Sequence, residues 1–246
     1  MKYLFDYSRF IVENRFYQSE LCPSFWKNSE FDPEIREKLL KIANDFYLDL
    51  DIKIPILDVQ LTGSLANYNW NKYSDLDVHV IMDLSQINPD VELVKKGLDG
   101  IRGVWNQRHP VIIREHDVEL YAQDIKQLHM ASGLYSLLKG EWLRKPEYNP
   151  PTIDPKDVSR KVEAYGKEIA DLKKRLKSAN PDEANTIMSY AGALKKKISR
   201  SRDEQLAHKG GEFSVENLVF KEMRNNGMFG DLIDIRSTAY GKIYSE

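Results

Sequence analysis

Four of the chain's five Asx-Pro pairs divide it more sharply than any other feature: Asp32-Pro33, Asn88-Pro89, Asp154-Pro155 and Asn180-Pro181. An Asx side chain accepts hydrogen bonds from the free N–H groups of a first helical turn. Proline at the next position has its φ preset and lacks a donor that would be orphaned there anyway. Each pair therefore marks a helix start, which predicts helices over about 33–49, 89–107, 155–178 and 181–206. In the first, Ile35, Leu39, Ile42 and Phe46 recur at steps of four, three and four, forming one helical face. A fifth helix is expected after Ser214, through VENLVFKEMRNNG, with Gly227 as its stop; residues 3–18 also read as helical.

Strand signals lie between the first and third of these starts. DVQLTG (58–63) is short and ends at glycine, and DLDVHVIMD (75–83) begins with polar–apolar alternation. PVIIREHDVELYAQD (110–124) is long enough for one strand, or for two with a bend near Glu115. GLYSLLKGEWLRK (133–145) reads as a hairpin turning at Lys139-Gly140 or as a short helix. The proline-rich PEYNPPTIDP (146–155) marks a boundary. The expectation is an α+β fold: a core with N-terminal helices over 1–150, then an α-helical C-terminal domain over 151–246.

Composition narrows the class. Of 246 residues, 41% are hydrophobic and 30% charged, the balance of a soluble globular chain. No apolar run approaches the ~18 residues that would span a bilayer, so no membrane partner is expected. The N-terminus places Asp6, Arg9 and Glu13 among its apolar residues, unlike a signal peptide. Cys22 is the only cysteine, which excludes an internal disulfide and a multi-cysteine zinc site, and a reducing, cytoplasmic setting is expected. Net charge is −2, but residues 156–209 carry 14 Lys/Arg against 8 Asp/Glu. That basic helical segment is either a phosphate- or nucleic-acid-contacting surface or a solvated helix face.

The chemistry concentrates in GSLANYNWNKYSDLDVHVIMD, Gly63 to Asp83. Asp75 and Asp77 are two apart, so a strand projects both carboxylates from one face. At ~4 Å and an effective dielectric of about 20 they repel by roughly 4 kcal/mol. A divalent cation relieves that repulsion. Upstream, Gly63 lets a phosphate approach the backbone, Ser64 offers a hydroxyl, and SLANY can open a helix whose free N–H groups suit anions. Mg²⁺ is commonly held by one or two carboxylates together with substrate phosphates. A third carboxylate from an adjacent strand would complete a two-metal site for in-line displacement at phosphorus. Glu119, framed by Val118, Leu120 and Tyr121, is the preferred third acid, and Asp117 on the same face is the alternative.

Gly63-Ser64, ten residues, then Asp75-x-Asp77 and a later acidic strand resemble the DNA polymerase β-like nucleotidyltransferase superfamily over residues 57–124. Within that span GSLANYNWNKYSDLDVH and HDVELYAQD, and beyond it GEFSVENLVFKEMRNNG, look like uncharacterised nucleotidyltransferase-like proteins of large tailed phages. The resemblance implies a nucleotidyltransferase core, a small mixed sheet flanked by helices. It implies that Gly63 and Ser64 bind the terminal phosphates of a nucleotide. Asp75 and Asp77 would bridge two Mg²⁺ ions (Mn²⁺ being an alternative), and Glu119 would bind the catalytic metal and help deprotonate the acceptor hydroxyl. In that superfamily the third acid is usually aspartate, so a glutamate here is a departure. A phage origin would place the protein in the host cytoplasm.

Other residues carry two readings each. His79 continues the face of the two aspartates, as a ligand or proton shuttle, or, as is expected, as a buried ring with a local partner. Tyr68 and Trp70 can stack a base or pack onto the core. Lys95, Lys96 and Arg102 can reach a triphosphate or line a solvated helix face, and KKKISRSR (195–202) reads more as a solvated helix. Trp105 and Trp142 read as core. The expected activity is metal-dependent transfer of a nucleoside monophosphate from an NTP to an acceptor hydroxyl, releasing pyrophosphate. The acceptor is open, with a nucleotide or RNA end favoured by the basic segment. The alternatives are a catalytically silent nucleotide-binding module and a toxin- or antitoxin-type enzyme modifying protein or tRNA.

Overall fold

Asp32 caps α1 (Pro33–Asp49) as its pairing with proline predicts, accepting from the backbone N–H of Glu34 at 2.9 Å and of Ile35 at 3.2 Å. The computed structural model describes residues 17–127, 129, 131–148, 153–208 and 211–245. The helix expected over 3–18 therefore lies almost wholly outside the described residues. Among these, the fold is α+β, with six helices, a mixed six-stranded sheet and a two-stranded one. The chain divides into a unit of Arg15–Asn149 and a unit that contains Pro150–Glu246.

In the first unit, β1 (Trp26–Lys27) and β2 (Glu30–Phe31) form a small hairpin that the sequence patterns did not suggest. Asn28 and Ser29 turn it, with φ of 51° and 66°. The main sheet holds β3 (Asp58–Thr62), β4 (Leu76–Met82), β5 (Ile112–Ile113), β6 (His116–Asp124), β7 (Leu134–Ser136) and β8 (Glu141–Arg144). Their spatial order is β5-β6-β4-β3-β7-β8. Among the described residues, only β4 and β6 pair in parallel. A parallel pair needs a long crossover, which α2 (Val91–Arg108) supplies. That helix starts two residues later than expected. Asp90 is its cap, accepting from Leu93 N–H at 3.1 Å, while Asn88 instead accepts from Asp90 N–H at 2.8 Å in an Asx turn. The long acidic segment is two strands, bent at Arg114 and Glu115, whose φ values of 49° and 68° suit a two-residue hairpin turn. The segment 133–145 is the hairpin β7–β8, with Gly140 at φ 74°.

Alternation splits the sheet into two faces. Val59 and Leu61, Leu76, Val78 and Val80, and Val118 and Leu120 point one way and are buried. They join Leu39, Ala43 and Phe46 of α1 and Leu98 and Trp105 of α2 in one core. Trp105 donates its indole N–H to Asp49 at 2.8 Å, and Trp142 stacks on Trp26 at 4.4 Å, so both tryptophans have the structural role expected of them. The opposite face of the same strands is polar.

The second unit is helical: α3 (Pro155–Ser178), α4 (Pro181–Leu206), α5 (Val215–Asn225) and α6 (Met228–Tyr244). The first two have the boundaries that Asp154-Pro155 and Asn180-Pro181 predict, and Asn180 with Glu183 closes a capping box. Gly227, expected as a stop, takes a left-handed φ of 73° and turns the chain directly into α6, a helix not expected from the sequence. The basic run 195–202 is distributed around α4: Ile198 is buried, Arg200 pairs with Glu204 at 2.8 Å, and Arg202 donates to Asn217 at 3.0 Å. No helix among the described residues is long and apolar enough to cross a membrane.

α2 is tied to the sheet by one amide. Asn106 donates to the carbonyl of Leu120 at 3.2 Å and accepts from its N–H at 3.1 Å, so a side chain takes the place of a neighbouring strand along β6. Asn106→Ala would leave that backbone pair without its partner. Urea unfolding is expected to show a loss of about 1–3 kcal/mol, and unchanged stability would mean this edge is satisfied by other means.

Candidate active site

The register of three strands arranges the polar face in rungs. Thr62, Asp77 and Glu119 lie side by side across β3, β4 and β6. Gln60, His79 and Tyr121 form the next rung, and Asp58, Ile81 and Gln123 the one after. Asp77 and Glu119 are thus direct partners on adjacent parallel strands, so Glu119 does lie on a strand neighbouring that of Asp77. Asp75 stands one residue before β4, two from Asp77. Asp117, the alternative acid, is exposed at the hairpin end of β6, where it pairs with Ile112.

Gly63 closes β3 with φ 76° and ψ −161°, a region essentially reserved for glycine. A Cβ built there would stand 2.0 Å from Oδ2 of Asp77, so that carboxylate lies in the crook of the turn. Ser64 follows, but SLANY does not open a helix as expected: Ser64–Ala66 is a single 3-10 turn. The Ser64 hydroxyl donates to Ser74 Oγ at 2.9 Å, which also accepts from Asn71 N–H at 2.9 Å. The indole N–H of Trp26 binds the Leu65 carbonyl at 2.7 Å, and buried His116 meets the Ser74 carbonyl at 2.6 Å. Both ends of the ten-residue loop, beside Gly63 and just before Asp75, are therefore anchored.

The second rung supports the first. Tyr121, expected within the apolar frame of Glu119, instead shares its face and donates its hydroxyl to Glu119 Oε2 at 2.5 Å. Its ring stacks on His79 at 4.5 Å and 8°, and the Arg102 guanidinium lies 4.6 Å from the ring centroid. Burial, then the charges of Asp77 and Glu119, push the phenol well above its ordinary range, so it remains a donor. His79 Nδ1 is 2.6 Å from Oε1 of Gln123, whose amide nitrogen donates to the Gln127 carbonyl at 3.1 Å. That orientation places the imidazole proton on Nδ1. Burial first, then His129, lowers the His79 pKa to about 3 against the opposing hydrogen bond to Gln123. His79 is thus the neutral, locally partnered ring expected of it.

The remaining sequence candidates divide. Arg102 is brought to the polar face by α2, whereas Lys96 is exposed on that helix. Tyr68 belongs to an aromatic group with Tyr17 (6.2 Å) and Tyr148 (5.3 Å) and packs against the core, as does Trp70. The second and third rungs border a cavity of about 360 Å³ lined by Asp58, Gln60, Gln123, His129 and Arg144 among others. Tyr121, Gln123, His116 and Ser74 were not among the sequence candidates. For the first two the signal was present, since Asp117, Glu119, Tyr121 and Gln123 alternate with Val118, Leu120 and Ala122.

Asp75, Asp77 and Glu119 offer carboxylate oxygens, which suit a hard divalent cation such as Mg²⁺ rather than a softer metal. Among the described residues, however, no three His, Cys, Asp or Glu side chains are gathered as a metal-holding group. Asp77 rests against Gly63 and Glu119 against Tyr121. In comparison with known proteins, no family model, curated protein or solved structure matches the chain.

The contact between Gly63 and Asp77 can be tested by a double-mutant cycle. Gly63→Ala is expected to lose about 1–3 kcal/mol in urea unfolding, from the forced φ and the clash together. Adding Asp77→Ala should restore the clash portion only. Wild-type stability in the single variant would show that the carboxylate does not fill the turn.

Proposed function

We propose that the protein is a metal-dependent nucleotidyltransferase that moves a nucleoside monophosphate from an NTP to an acceptor hydroxyl. The observation that carries this reading is the pairing of Asp77 with Glu119 across parallel strands, beside the glycine turn that precedes Ser64. Asp75, Asp77 and Glu119 would hold Mg²⁺, or Mn²⁺ in its place, and the bound cation would neutralise charge on the phosphates. The turn at Gly63 and Ser64 would receive the terminal phosphates, with the Arg102 guanidinium adding positive charge at the same face. The acceptor oxygen attacks the α-phosphorus, its proton passes to a carboxylate of the rung, and the bond to the bridging oxygen breaks to release pyrophosphate. Positioning and charge stabilisation supply most of the acceleration in such a scheme. The basic helical segment over residues 156–209 favours a nucleotide or RNA acceptor.

The separation of the acids favours a second reading, a nucleotide-binding module without turnover. Labelled NTPs with Mg²⁺ or Mn²⁺ and a broad acceptor panel would distinguish the two. Pyrophosphate release that falls to background in Asp77→Ala is the expected result. Nucleotide binding with no release over the whole panel would overturn the enzyme in favour of the module.

A further inference from the structure

Glu119 has two polar neighbours within reach and is bonded to the more distant one along the backbone. Asp77 is its partner across the sheet, where strands lie about 4.8 Å apart. Tyr121 is two residues along the same strand, about 6.6 Å away at 3.3 Å per residue. The carboxylate nevertheless meets the Tyr121 hydroxyl at 2.5 Å. The glutamate side chain has one methylene more than an aspartate would, and that methylene gives it the reach along β6.

The tyrosine is not free to follow the carboxylate. Its ring lies between the His79 imidazole and the Arg102 guanidinium, and His79 is itself fixed by Gln123. Any closing of the acids must therefore come from rotation of the Glu119 side chain. Asp77, meanwhile, is seated in the crook of Gly63.

We propose that Tyr121 is a latch on the third acid. Its hydroxyl holds Glu119 back on β6, and the divalent-cation site is completed only when Glu119 exchanges this hydrogen bond for the cation held by Asp77. The latch rests on the reading of these acids as cation ligands, and it makes Tyr121 a positioning residue, not a catalytic one. It predicts a site that binds cation weakly on its own and closes around cation and nucleotide together.

The test is a Mn²⁺ titration of the full chain without nucleotide, followed by the electron paramagnetic resonance signal of the free ion. Tyr121→Phe keeps the stacked ring and removes the hydroxyl. It is expected to bind Mn²⁺ at the Asp77-dependent site about tenfold more tightly than wild type, the scale of one hydrogen bond to a charged group. Equal or weaker binding by the folded variant overturns the latch. If Tyr121→Phe does not fold, Glu119→Asp decides instead: the shorter side chain no longer reaches the hydroxyl, and the same tightening is expected. Failure of the underlying reading looks different, because Mn²⁺ binding would then be unchanged by Asp77→Ala in every protein.

Discussion

Parallel hydrogen bonding between β4 and β6 is the interaction on which the rest of the N-terminal unit depends. It sets Leu76 against Val118, Asp77 against Glu119, Val78 against Leu120 and His79 against Tyr121. One pairing thereby assigns the apolar residues to the face covered by α1 and α2 and the acids to the other. Because side chains alternate, a slip of one residue would send Glu119 into the core and Leu120 onto the polar face. Burying those apolar side chains, at about 25 cal/mol per Å² of apolar surface, holds the register, and the Asn106 amide secures the outer side of β6.

That register creates a charge conflict. Two carboxylates on adjacent strands repel, and they occupy separate places, Asp77 in the space beside Gly63 and Glu119 on the Tyr121 hydroxyl. The second rung of Gln60, His79 and Tyr121 is therefore part of the site's architecture. His79 does this as a neutral stacked ring. Under the proposed function, a bound cation would be the element that reconciles the acids.

Most helices could be read directly because their signals are local. An Asx cap followed by proline acts within one turn, and α1, α3 and α4 have the boundaries it predicts. Asn88-Pro89 misled by two residues because Asp90 offered a competing cap. The turn at Glu115 and the hairpin at Gly140 were also legible, while β1–β2 and α6 were not: a two-residue strand has too few alternations to register, and Gly227 reads equally as an end or a turn between helices. At the candidate site, Asp77, Glu119 and Gly63 were identifiable from residue type and spacing, whereas Arg102 read more as part of a solvated helix face. Tyr121 was overlooked because its aromatic ring reads as apolar, although its place in the alternation puts it with Glu119. No sequence pattern could show that Tyr68 packs with Tyr17 and Tyr148, since that depends on segments far apart in the chain.

The central claim, that the first rung and the Gly63 turn form one cation- and triphosphate-binding place, is tested most directly by anomalous scattering. Crystals of the full chain grown with Mn²⁺ and a non-hydrolysable NTP analogue should show an anomalous peak between the carboxylates of Asp77 and Glu119, with the triphosphate against Gly63 and Ser64. Nucleotide density elsewhere on the molecule, or a first rung without Mn²⁺ in crystals that do hold the analogue, would contradict it.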